Sequence, residues 1–170
     1  MSVDTTVDQV QAGTQPAKEH QWLQQLAGEW TFEGEVSMGP DEPPMKFTGT
    51  ECVRSLGGLW VVLEGRSKMG DGEGTTIMSL GYDLTPMKYV GTWIGSMMSR
   101  LWVYDITMAP SGDALWLESD GPDMADPDKL ARYRDIITII SPDHRTLTGN
   151  IKGAGGEWTE FMITHYHRVK

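Results

Sequence analysis

From Gly28 onward the chain alternates between apolar and polar residues with a period of two. In the stretch 29–38, Trp30, Phe32, Val36 and Met38 fall on one side, and Glu29, Thr31, Glu33 and Glu35 on the other. Successive side chains of a strand point to opposite faces, so this is a strand with one wet face. Turn signals then recur near 39–44, 57–58, 69–74, 84–87, 96–99, 109–113, 120–130, 141–145 and 152–156. Nine connections imply about ten strands. The pair Gly57-Gly58 suits a tight hairpin, because glycine tolerates positive φ. The segments between turns are β-branched and aromatic, as in Trp60-Val61-Val62-Leu63 and Ile136-Ile137-Thr138-Ile139-Ile140.

The pattern before Gly28 is different. Residues 1–15 are polar and read as a disordered tail. Pro16 suits the start of a helix, and Ala17–Ala27 place Trp22, Leu23 and Leu26 on one helical face, with Gly28 as the stop. A helix this short is unstable alone, so it must pack on the strands or plug one end of them. Many strands on short loops with no second helix predict an antiparallel meander. Closure into an up-and-down barrel removes its two exposed edges. Eight strands already enclose room for a small ligand, and ten enclose more.

Composition narrows the function. The 170 residues suit one domain, here 16–170, large enough for a core without metal or disulfide staples. Twenty glycines and nine prolines fit many turns, and seven tryptophans supply large buried surfaces. A net charge of −10 argues against nucleic acid and membrane surfaces as partners. Cys52 is the lone cysteine and excludes an intrachain disulfide. No apolar run approaches the roughly 18 residues of a membrane span, and the N-terminus lacks a signal-peptide core, so a cytoplasmic location is expected. HExxH, GxSxG and P-loop motifs are absent. Gly70-x-Gly72-x-Gly74 has no helix after it and reads as a hairpin tip.

The segment His20-Gln-Trp22-Leu23-Gln-Gln-Leu26-Ala-Gly28-Glu29-Trp30 resembles the opening of a family of uncharacterised, mainly bacterial proteins related to the calycins, the lipocalins and fatty-acid-binding proteins. Leu56–Trp60, Leu80–Asp83, Gly91–Met97, Leu101–Tyr104, Arg132–Asp135 and Trp158–Phe161 extend the resemblance over roughly residues 18–168. It implies an all-β, calycin-like barrel. Gly28-x-Trp30 is similar to the glycine-x-tryptophan of lipocalin first strands, which implies that Trp30 closes one barrel end. No activity comes with the resemblance.

Three constellations carry candidate chemistry. Arg100, Trp102 and Tyr104 share one strand face, and Arg132 and Arg134 share another with Ile136 and Ile140. Charge beside aromatics is either a snorkelling surface residue or an anchor inside a cavity. Fatty-acid-type barrels grip a carboxylate with an interior arginine; an inward arginine here needs an anionic ligand or an acid such as Glu64 or Asp135. Secondly, His165 and His167 are two residues apart and share a strand face, together with Phe161 and Ile163. The related nitrobindin-like barrels hold haem through a late histidine, which implies haem or a metal as the alternative occupant. Thirdly, Met97 and Met98 sit at a turn near the expected pocket mouth and suit varied apolar ligands.

The leading expectation is a noncatalytic protein that binds a small apolar or amphipathic molecule, with no cofactor. Trp60, Tyr82, Trp93, Met97, Arg100, Trp102 and Arg134 are its candidate contacts. An enzyme using Tyr82, Asp83, Arg134 and Asp135 as acid–base groups is a further alternative. Strands 59–63 and 136–140 are apolar on both faces, which self-association into a homodimer would explain.

Overall fold

The structure, a computed structural model, describes residues 13–170. Residues 1–12 of the expected tail lie outside the described residues. Helix α1 spans Lys18–Gln24. Ten strands follow: β1 (Gly28–Val36), β2 (Met45–Leu56), β3 (Trp60–Met69), β4 (Gly72–Asp83), β5 (Lys88–Gly95), β6 (Trp102–Met108), β7 (Ala114–Pro122), β8 (Leu130–Ser141), β9 (His144–Lys152) and β10 (Trp158–Arg168). Each pairs antiparallel with its sequence neighbours, and β1 closes the ring against β10. The barrel is the ten-stranded meander that the alternation predicts.

Alternation decides which side chains enter the barrel. Along β1, Trp30 and Phe32 are buried while Glu29, Thr31, Glu33 and Glu35 are exposed. The same rule sends Val61 and Leu63 of β3, Leu115 and Leu117 of β7, and Ile137 of β8 inward. Two irregularities interrupt it: the β8–β9 register shifts between Ile139 and Ser141, and a second shift bears on the cavity. A β-bulge in β10 between Glu160 and Met162 inserts an unpaired residue. The parity of the strand changes there, as a bulge requires. Phe161 therefore lies inside, whereas Ile163, His165 and His167 lie outside, alternating with buried Thr164 and Tyr166. The expectation that Phe161 shares a face with the two histidines is corrected for this reason.

Helix α1 is shorter than the predicted 17–27 and seals one end of the barrel against β3 and β4. Its last turn tightens, with Leu26 N–H donating to Leu23 O and Ala27 N–H to Gln24 O. The freed Leu26 carbonyl accepts a 2.9 Å bond from the Trp30 indole. His20, fully buried, anchors the helix: Nδ1 accepts from the Ala17 amide at 2.9 Å and Nε2 donates to the Tyr82 carbonyl at 2.9 Å. These two bonds fix the tautomer and the orientation of the ring. Trp30 closes this end as expected, with the guanidinium of Arg168 4.2 Å and that of Arg145 4.7 Å from its ring centre.

The interior is filled on one side only. Phe32 and Phe47 pack edge to face at 6.2 Å and lie over Gly49 and Gly34, where the missing β-carbons leave room for the rings. This aromatic fill occupies the β1–β3 side. The β5–β8 side is hollow near the open end.

Candidate functional site

The hollow is a cavity of about 590 Å³ that opens between the β5–β6 and β7–β8 loops. That volume lies within the range of small-molecule sites. Trp93 (β5), Trp102 and Tyr104 (β6), Leu117 and Ser119 (β7), Tyr133 and Asp135 (β8), and Phe161 and Met162 (β10) form its walls. Met98, Ser99, Arg100, Pro122 and Met124 form its rim. The bulge in β10 supplies two consecutive wall residues from one strand. Two glycines make the wall possible: a β-carbon on Gly121 would stand 2.1 Å from the Trp102 ring, and one on Gly95 would stand 2.6 Å from that of Trp93. The rings pack in sequence around the wall, Trp102 edge-on to Tyr133 at 5.4 Å and Tyr133 edge-on to Phe161 at 6.2 Å.

Polarity in this cavity is concentrated at one point. Tyr104 Oη donates a 2.8 Å hydrogen bond to Asp135 Oδ2. Burial pushes the Asp135 carboxyl up to about 6, only partly offset by the Tyr104 hydrogen bond. Tyr104 is pushed well above the usual phenol range by its own burial and by the adjacent carboxylate. Tyr133 is raised by burial, and its hydroxyl is committed to the Pro122 carbonyl at 2.6 Å. At the rim, Arg100 is exposed, donates to the Asp120 carbonyl at 2.7 Å and lies 5.3 Å from the Trp102 ring centre.

Among the candidates singled out by sequence, Trp93, Arg100 and Trp102 line the cavity. The other four stand elsewhere. Trp60 is 40 % exposed on the outer wall, where its ring covers Gly81. Met97 is 56 % exposed and lies beside Gly95 and Gly74, off the cavity wall. Tyr82 is at the sealed end, edge-on to His20 and Tyr89. Arg134 points outward, because its neighbours Tyr133 and Asp135 point in. It is held between Trp116 and Trp158, 4.9 and 4.1 Å from their ring centres, and bonds Glu118 through Nε at 2.8 Å. The expectation of an inward Arg134 is corrected by this parity. Arg132 is outward too, bonded to Glu118 at 3.2 Å. Asp83 is exposed near the sealed end, away from Asp135.

The histidines also stand outside. His165 Nδ1 is 3.1 Å from His144 Nε2, and the His144 ring stacks on His167 at 4.8 Å. Burial and the two neighbouring imidazoles lower His144 below the usual histidine range. No histidine lines the cavity. Among the described residues, no group of three or more His, Cys, Asp or Glu side chains is placed to hold a metal ion.

Sequence reasoning missed the interior charges. Arg145, fully buried, pairs with buried Glu51 across the barrel and lies 3.9 Å from the Tyr166 ring centre. Burial raises the Glu51 carboxyl, against the lowering effect of Arg145. The signal was parity: Glu51 shares a face with Phe47 and Val53, and Arg145 with Leu147, but the sequence reading placed 141–145 in a turn. Tyr133, Ser119 and Phe161 of the wall and Met124 of the rim were missed. Asp135 was named only as an acid–base alternative.

A model of a protein family of unknown function, DUF1579, matches residues 15–168, and the chain belongs to this family. No curated protein matches it. Among solved structures, the barrel is similar to the S-type phycobiliprotein lyase CPES from Guillardia theta, with a TM-score of 0.58 at 13 % identity over 92 % of this chain and 99 % of that one. It is equally similar to Rv2717c from M. tuberculosis, with a TM-score of 0.58 at 14 % identity over 92 % and 100 % of the two chains. At these identities the likeness is one of fold. Among the described residues, no helix is long and apolar enough to cross a membrane.

Proposed function

We propose that this member of the DUF1579 family is a binding protein that takes one small, largely apolar molecule into the open end of its barrel. The observation that carries this reading is the cavity of about 590 Å³, walled by Trp93, Trp102, Tyr133 and Phe161 and carrying a single, half-buried acid, Asp135. A closed sheet of this size could have filled itself with side chains, as the Phe32–Phe47 side does. On the β5–β8 side it leaves an apolar hollow with one polar group, the composition of a small-molecule site. The two methionines at the rim, Met98 and Met124, are soft and conform to different shapes.

The test is titration with Nile red followed by displacement with a lipophile panel, alongside native mass spectrometry for stoichiometry. One molecule per chain is the expected result. Ser119→Trp places an indole inside the cavity, because Ser119 is buried in its wall. That variant should lose the binding. A folded wild-type protein that takes up none of the panel would refute the reading.

A further inference from the structure

We infer that the preferred occupant of this cavity is a cation: an apolar molecule carrying a protonated amine that pairs with Asp135 among the aromatic walls. The inference rests on the reading that the cavity binds a small apolar molecule, and it names the chemical class.

Four observations converge on a positive group. First, Asp135 is the acid of the cavity wall, and the one arginine beside that cavity, Arg100, is at the rim and already engaged by the Asp120 carbonyl and the Trp102 face. A carboxylate in apolar surroundings with no counter-charge is costly, and an incoming ammonium supplies that charge. Secondly, the hydroxyl hydrogens nearby are spent. Tyr104 donates to Asp135 and Tyr133 donates to the Pro122 carbonyl, so both phenol oxygens offer only lone pairs. An ammonium brings three donors and no acceptor, which suits a site of acceptors. A ligand carboxylate would meet the repulsion of Asp135, with the Ser119 hydroxyl and the Trp93 indole N–H as the donors left in the inner wall. Thirdly, Trp93, Trp102, Tyr133 and Phe161 surround the same space, and the negative faces of aromatic rings attract cations. Fourthly, the net charge of −10 draws cations toward the protein and repels anions. The raised Asp135 carboxyl agrees with an acid that lacks its partner.

The experiment uses three probes with one skeleton: 2-(1-naphthyl)ethylamine, 2-(1-naphthyl)ethanol and 1-naphthylacetate. Their binding to the full chain is measured by calorimetry at pH 7.5, where the amine is protonated. The amine should bind about tenfold or more tightly than the alcohol, the gain expected of a charge-assisted contact, and the carboxylate should bind weakest. Asp135→Asn should close the gap between the amine and the alcohol. Tyr104→Phe keeps the carboxylate and should keep the preference for the amine. If the three probes bind alike, or the carboxylate binds best, the inference is overturned while the cavity reading stands. An amine preference that survives Asp135→Asn overturns it equally. If no probe binds, both fall. The ranking in the wild-type protein is decisive even if a variant fails to fold.

Discussion

Replacing Asp135 by asparagine should make the barrel more stable at neutral pH, and the gain should vanish in acid. In the folded chain the carboxyl titrates near 6, against 3.8 for the unperturbed group. The folded state therefore holds the proton more tightly than the unfolded state. Stability contributed by this group is highest below pH 3.8 and falls as pH rises toward 6. Above that range the full burden of burying the charge is present, about 3 kcal/mol for a rise of this size. Asparagine is isosteric, carries no charge, and still offers an oxygen to the Tyr104 hydroxyl, so the hydrogen bond survives. Urea unfolding of both proteins should show the variant ahead by about 2–3 kcal/mol at pH 8, by about half that at pH 5, and by well under 1 kcal/mol at pH 4. The slope of unfolding free energy on urea should match in the two proteins, because the exposed surface is unchanged. A stability difference that stays constant across this pH range, or one that favours the wild type at pH 8, would show that the acid is solvated or already paired.

The buried pair of Arg145 and Glu51 supports a second expectation. Arg145→Met alone should cost about 3–5 kcal/mol, because it strands the Glu51 charge, and Arg145→Met with Glu51→Leu should recover most of it in thermal melts. Gly121→Val forces the Trp102 ring out of its place, so near-ultraviolet dichroism should change and lipophile affinity should drop about tenfold or more. Trp60→Ala and Arg134→Ala alter the outer wall only, and each should leave cavity binding within about twofold of wild type by displacement titration.

The barrel was legible because its rule is local. Apolar residues two apart, punctuated by Gly and Pro turns, specify strand after strand, and a meander this long has one economical way to bury its edges. The site was less legible because position inside a barrel depends on parity, and parity is lost wherever the count of residues shifts by one. Arg134 and Asp135 show this most directly: adjacent in sequence, they stand on opposite sides of the wall. The bulge at β10 did the same to Phe161 and His165, and no residue type near 161 announces it. Trp93 was found within the glycine-flanked run Gly91–Gly95, and Trp102 through the strand face it shares with Arg100 and Tyr104. Ser119 and Tyr133 carry no such signal and join the cavity through the pairing of β7 with β8, and Met124 reaches it from the loop between them.

The sealed end has a kinetic consequence. With α1, Trp30 and Arg168 across one mouth of the barrel, that end is closed among the described residues, and the cavity opens at the other, between the β5–β6 and β7–β8 loops. A guest cannot pass through; it must leave by reversing the path on which it arrived. A two-ended molecule therefore chooses its orientation at the threshold, before it meets Asp135. The loops 96–101 and 123–129 flank this doorway and carry Met98, Ser99, Arg100 and Met124, so substitutions at these residues should alter both the rate of entry and the affinity.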